Sequence, residues 1–288
     1  QLFRTMGWKA PKYVHTAQLM KMDGGSKRKL SKRKDPELAL DFYNAEGYPV
    51  PSVLEYLMTL LNSNFEDWRL ANPTAPMGDF QFTTKKMGNS GSLFDIDKLK
   101  DVSKNTISVM SADQVYDEVT AWAKDFDPQL YTLLTADQQK AKAIFAIGRG
   151  GAKPRKDIAI WSEVKDYVAF FYEELFTAAS EYPENVSTQD ALDILTQYRS
   201  LYSPADDGET WFNKVRELGE SLGFAAKPKD YKKNPDQYKG HVGDVSQVIR
   251  LAITGRTNSP DLCSVMQILG EEVCQQRLAQ AIELLSNR

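Results

Sequence analysis

The chain has 288 residues, 42% of them hydrophobic and 26% charged, which is the make-up of an ordinary folded protein long enough for two domains. With 36 Lys and Arg against 39 Asp and Glu its formal charge is −3, so it is not a uniformly basic nucleic-acid binder, and any attraction for phosphate must come from local clusters. Cys263 and Cys274 are the only cysteines; they offer neither a disulfide framework nor metal-ligand spacing, and read as buried thiols of a reducing, cytoplasmic protein. No apolar run approaches the roughly 20 residues of a membrane span, and residues 1–20 hold no hydrophobic block of the signal-peptide kind.

In chain order, residues 1–25 are short apolar pieces broken by Pro11 and by a turn at Asp23-Gly24-Gly25. Gln1 stands where an initiator Met would be, within a plausible element, so a piece of a longer protein is expected. A dense basic run follows, from Ser26 to Lys34. Residues 36–62 read as helices broken at Gly47-Tyr48-Pro49, with Val53, Leu54, Leu57, Leu60 and Leu61 at helical spacing beyond the break. Residues 70–92, rich in Pro, Gly, Asn and Thr, predict an irregular connection with a short strand near Phe80-Gln81-Phe82.

From residue 93 onward the periodicity predicts helices over 95–110, 112–125, 137–148, 157–180, 187–199, 208–222, 243–254, 260–269 and 271–285. Ser111 and Ser187 are good N-caps, and Ser259-Pro260-Asp261 places a cap, a first-turn proline and a first-turn acid in order. Gly270 closes one helix before Glu271-Glu272 opens the last. The expected fold is mainly α.

Three cationic stretches stand out. The run Lys27–Lys34 is either a solvated loop or a phosphate-handling one, in which mobile glycines, a hydroxyl and closely spaced cations neutralise a triphosphate. The second, Arg149–Lys156, is a flexible basic loop between helices. The third, Lys227–Lys239, interleaves Lys227, Lys229, Lys232, Lys233 and Lys239 with Tyr231 and Tyr238, and suits either a backbone-tracking segment or an exposed linker. His15 and His241 read as structural or surface residues, and no metal site is expected.

Lys29-Leu30-Ser31-Lys32-Arg33 resembles the KLSKR form of the KMSKS loop of class I aminoacyl-tRNA synthetases. Met6-Gly7-Trp8, Pro11 to His15 and Met22-Asp23-Gly24 are similar to the stretch preceding that loop in bacterial glutamyl-tRNA synthetases, and Leu93 to Leu99 to the family's "FDxxKL" segment. Arg250 to Arg256, Ser259 to Leu262 and Leu269 to Glu272 resemble the family's anticodon-binding end. By these motifs, in order across nearly the whole chain, it is identified as a member of the glutamyl-tRNA synthetase family, carboxyl-terminal part.

The resemblance implies the tail of a class I catalytic (Rossmann) domain with its KMSKS-type loop over 1–35, a stem-contact region over 36–125 and a helical anticodon-binding domain over 126–288. Lys29, Ser31, Lys32 and Arg33 match the ATP-binding loop, with Lys32 toward the phosphates; Lys34-Asp35-Pro36 departs from the commoner "HGA". Arg250, Ser259, Pro260 and Leu262 match the anticodon-reading corner, with Pro and Leu as an apolar surface for bases and the free N–H groups of the next helix for an oxygen. Arg149, Arg155 and Lys156 are all candidates for one further anticodon-reading position. The implied parent is a glutamate–tRNA ligase using ATP with Mg2+, glutamate and tRNA-Glu, with tRNA-Gln left open as a second partner. Nothing here matches the HIGH-type motif of the catalytic half, so the chain alone is expected to hold no catalytic residues, to bind no cofactor and to be inactive. A monomer is expected. The alternatives are a non-catalytic helical interaction or RNA-binding protein, and a glutaminyl-tRNA synthetase, whose anticodon-reading end is built from β-barrels.

Overall fold

The Asp23-Gly24-Gly25 signal becomes a hairpin. In the computed structural model, which describes residues 1–88 and 90–287, β1 (Leu19–Asp23) pairs antiparallel with β2 (Ser26–Lys29), Met20 opposite Lys29 and Asp23 opposite Ser26. Gly24 and Gly25 have φ of 55° and 87°, the positive pair that a tight right-twisted hairpin requires. A two-residue strand, β3 (Ser92–Leu93), adds to β1 in parallel, giving the order β2-β1-β3. The first half of the basic run is therefore a strand and only Leu30 to Lys34 is a loop.

The chain divides into two compact units, residues 1–110 with 156–162, and residues 111–155 with 163–288. It passes from one to the other at 110/111, 155/156 and 162/163. The first unit carries the sheet, the short α1 (Leu2–Thr5), α2 (Leu40–Glu46), α3 (Val50–Leu61), α4 (Phe65–Ala71) and α5 (Ile96–Ser108). Gly47, at φ 80°, ends α2 with the left-handed cap that glycine adopts without strain. The core gathers Leu30, Tyr48, Tyr56, Phe94, Leu99, Ala159 and Ile160. Tyr56 meets Phe94 edge-on at 5.3 Å, and its hydroxyl accepts the Asp95 N–H at 2.6 Å. The returning segment 156–162 is bound to this core by apolar burial and by the Ser103 hydroxyl, which donates to the Ala159 carbonyl at 2.5 Å.

The second unit is helical: α6 (Ala112–Phe126), α7 (Pro128–Ala136), α8 (Gln138–Ala146), α9 (Val164–Val168), α10 (Thr188–Leu201), α11 (Gly208–Ser221), α12 (Pro228–Lys233), α13 (Val242–Thr254), α14 (Leu262–Leu269) and α15 (Glu271–Ser286). Ser111 forms a full capping box with Gln114, and Ser187 accepts the Asp190 N–H, as their residue types predict. α13 packs on α10, α11 and α15, and Tyr198 lies buried among them with its hydroxyl accepting the Trp211 indole N–H at 2.7 Å.

Three sequence expectations fail. No strand forms at Phe80–Phe82: Phe80 follows a 3-10 turn and is buried edge-on to Phe65 at 5.0 Å. Residues 157–180 are not one helix, because Ile158 to Ile160 form a buried irregular stretch, after which only short helical turns run from Trp161 to Phe171. A continuous apolar run cannot be told from a buried helix by periodicity alone. α7 was not anticipated, although Asp127-Pro128 supplies both its cap, accepting the Leu130 N–H at 3.0 Å, and its first-turn proline.

Candidate nucleic-acid interface

At the basic turn of the first unit, Leu30 is buried as an anchor and the chain reverses through Ser31 to Lys34, whose N–H donates to the Ser31 carbonyl at 3.0 Å. Asp35, itself buried, fixes the turn. Its carboxylate accepts the Ser31 N–H at 2.7 Å and both terminal nitrogens of Arg28, at 2.7 and 2.8 Å. Arg28 also donates to Asp23, and Lys21 pairs with the buried Glu37. The Arg28 guanidinium, then the Ser31 N–H, hold the Asp35 carboxyl well below the usual carboxylate range. What remains outside this network is cationic: Lys29, Lys32, Arg33 and Lys34 are exposed and form no ion pair among the described residues. Unpaired cations on a tight turn can pair with phosphate oxygens. The sequence singled out the cations and missed Asp35, although an acid closing so basic a run was a visible signal.

In the second unit, Arg250, Ser259, Pro260 and Leu262 come together at the corner between α13 and α14. One terminal nitrogen of Arg250 donates to the Ser259 hydroxyl, to the Ser259 carbonyl at 3.3 Å and to the Pro260 carbonyl at 3.2 Å. The Ser259 hydroxyl in turn donates a hydrogen bond to the Pro260 carbonyl at 2.9 Å. The other guanidinium N–H groups of Arg250 have no partner among the described residues. Burial, and then the positive charge of Arg155, lower the pKa of Arg250. The Arg250 guanidinium thus sits partly desolvated near a like charge, with the Asp261 carboxylate as a partial counter-charge.

The rest of the corner differs from the sequence expectation in two ways. Ser259 is not the cap of α14: Asp261 is, accepting the Ser264 N–H at 2.9 Å, so an acid occupies the helix start and that N–H is not available to an oxygen. Pro260 and Leu262 are buried, so here they hold the corner from within and do not present an apolar face. Around it, Arg256 makes a two-pronged pair with Asp166 at 2.6 and 2.8 Å, and Gln247 donates to the Thr257 carbonyl at 2.9 Å. Gly255 ends α13 at φ 70°, and a side chain there would lie 2.0 Å from the Thr177 carbonyl oxygen. Proline 260 and serine 259 signalled the turn; Asp166 and Thr177 are too distant in sequence for any spacing rule to find.

Arg149 and Arg155 lie on the Gly148–Arg155 loop of the same unit. Arg149 donates to the Phe145 carbonyl at 2.6 Å, the Arg155 N–H bonds the Gly148 carbonyl at 3.0 Å, and the Arg155 side chain fills the space beside Gly148 that a Cβ would occupy. Lys156 is exposed and belongs to the first unit. Cys263 and Cys274 are buried in α14 and α15, and burial pushes the Cys274 thiol up to about 11. Among the described residues no group of three or more His, Cys, Asp or Glu is placed to hold a metal ion, and no helix is long and apolar enough to cross a membrane.

The second unit is thus a helical body whose α13–α14 corner carries a part-buried, part-unpartnered arginine near a second arginine. A family model described as anticodon binding domain matches residues 114–282. The chain is 48% identical over 282 residues to a glutamate–tRNA ligase of Acetivibrio thermocellus, covering 98% of this chain and 52% of that protein. It is 46% identical over 289 residues to a glutamate–tRNA ligase of Clostridium beijerinckii, covering 99% and 52%. A crystal structure of a glutamate tRNA ligase from Elizabethkingia meningosepticum in complex with its amino acid aligns with a TM-score of 0.64 at 20% identity, over 98% of this chain and 53% of that one, and shows the same fold. The chain spans about half the length of the curated relatives it matches. It belongs to the anticodon-binding-domain family. Its second unit has no β-strand among its described residues, only the isolated Ala225–His241 bridge, so the β-barrel ending of a glutaminyl-tRNA synthetase is not present there.

Proposed function

We propose that the chain is the tRNA-reading portion of a glutamate–tRNA ligase, and that the Arg250 corner meets the anticodon. The observation that carries the reading is the divided guanidinium of Arg250: one nitrogen fixes Ser259 and Pro260, while the others are unpartnered beside Arg155 within the matched family domain. Splayed RNA bases are read by donors held in this way at their edges, and Arg149 and Arg155 of the same unit supply further cations. Residues 1–35 would then close a catalytic domain, 36–125 contact the tRNA stem and 126–288 read the anticodon. The exposed Lys29, Lys32 and Arg33, with Ser31, suit the phosphates of ATP carried with Mg2+ in the longer ligase, which would join glutamate to tRNA-Glu in the cytoplasm, as a monomer. Whether tRNA-Gln is also a substrate would follow from the same corner.

The test is a titration of the chain with unmodified tRNA-Glu transcript and an unrelated tRNA. Preferential binding of tRNA-Glu, with affinity falling steeply as salt rises, is expected. Arg250→Ala should cost on the order of 1–3 kcal/mol and blur the preference. Equal affinity for both tRNAs at every salt concentration would remove the anticodon role.

A further inference from the structure

We propose that the loop from Gly223 to His241 is a second docking element, which grips the sugar-phosphate backbone of an RNA strand without reading its sequence. The inference rests on the tRNA-binding reading and adds to it a site that the Arg250 corner does not contain.

The loop is a built feature. Its neck is stitched by backbone hydrogen bonds: the Ala225 N–H to the Gly240 carbonyl at 2.9 Å, the Val242 N–H to the Ala225 carbonyl at 2.9 Å, and the Lys239 N–H to the Gly223 carbonyl at 3.0 Å. Phe224 and Ala225 are buried beneath the neck, and Tyr231 folds back edge-on to His241 at 5.8 Å. Outside the neck the polypeptide is exposed, with α12 along one arm. The excursion is thus closed at its base. A mere linker would not need such a neck.

Its charge runs against that of the whole protein. Between Gly223 and His241 there are five lysines and two aspartates, 5 − 2 = +3, in a chain whose total is −3. Only one lysine is neutralised nearby: Lys239 meets Asp190 at 2.5 Å, which fixes the neck. Lys227, Lys229, Lys232 and Lys233 are exposed and form no ion pair among the described residues. Flexible ammonium groups are point charges suited to phosphate oxygens and indifferent to base identity.

Placement completes the case. His241 at the neck is the N-cap of α13, and Arg250 lies eight residues beyond Val242 on that same helix. At 1.5 Å per residue the neck of the loop and Arg250 are separated by roughly 12 Å along one helix axis. A strand whose base edges meet Arg250 would thus have its backbone within reach of the loop.

The experiment compares the chain with a variant carrying Lys227, Lys229, Lys232 and Lys233 all as Gln, and with a second carrying all four as Arg. Each is titrated with tRNA-Glu transcript, an unrelated RNA hairpin and phosphatidylserine vesicles, from low to high salt. The expected result is a loss of about tenfold or more in affinity for both RNAs at low salt in the Gln variant, a salt slope shallower by about 3, and affinity restored in the Arg variant. The ratio between tRNA-Glu and the hairpin should not change, since that ratio belongs to the Arg250 corner. A wild-type chain that binds both RNAs equally, yet loses both in the Gln variant, would uphold the loop and overturn the anticodon reading. RNA binding and salt slope unchanged in a folded Gln variant would overturn the loop, as would lysine-dependent binding to the vesicles and not to RNA.

Discussion

Arg277 shows how one side chain can fix the frame around the corner without belonging to it. It is buried in α15, donates to the Phe170 carbonyl at 2.7 Å and the Ile253 carbonyl at 2.8 Å, pairs with Glu173 and lies 3.6 Å over the Phe176 ring. Arg277→Ala should therefore lower unfolding stability by about 2–4 kcal/mol, since it empties a buried site and strands two carbonyls. Denaturant titration checks this, and a loss under 1 kcal/mol would show that water replaces the guanidinium. Gly255→Ala acts on the same corner through the backbone. It would hold a left-handed residue and press a methyl onto the Thr177 carbonyl, so a cost of at least about 2 kcal/mol is expected. At this scale the sequence was a partial guide. Arg250 and Ser259 were legible because the motif places them nine residues apart, on either side of one turn. Their contact with each other, and the support from Thr177 and Arg277, come from tertiary packing that no local pattern encodes.

Among the elements, the hairpin with its basic turn is the one whose stability should follow pH. The Asp35 carboxyl has a folded pKa lowered by Arg28 and Ser31, so its contribution is present above the unfolded value, about pH 4, and is lost as pH falls below it. Thermal unfolding of the first unit should therefore show a melting temperature that drops between pH 4 and pH 2. Asp35→Asn should lower that temperature at pH 7 and flatten the drop; a parallel pH profile for the two proteins would assign the acid sensitivity elsewhere. Helices with marked ends were legible in advance: α6 and α10 begin where Ser111 and Ser187 place them. Segments 80–82 and 157–180 differ from expectation for a shared reason, since an apolar run has the same composition whether it is buried as irregular chain, turn or helix. The start of α14 was displaced because three residues in succession, Ser259, Pro260 and Asp261, all suit a helix entrance and only packing chooses between them.

For the molecule as a whole, both thiols lie in the second unit, which makes them reporters of that unit alone. With Cys274 pushed up to about 11 and Cys263 also raised by burial, native protein at pH 8 should label slowly with a thiol reagent, and both thiols rapidly once denaturant opens the second unit. Fast labelling of native protein would mean that α14 and α15 open readily. The mainly helical class was legible from periodicity over long stretches, while the two-unit division was not, because segment 156–162 is apolar in the manner of any core segment and carries no mark of which core it joins. That segment limits how the molecule can be dissected. Expressing residues 111–288 alone would retain Ala159 and Ile160 while deleting the core residues they pack with, leaving apolar side chains uncovered. Such a truncation should aggregate, whereas the same piece with residues 156–162 exchanged for a Gly/Ser linker of equal length should remain monodisperse in light scattering. On that expectation the second unit would be separable by substitution but not by scission.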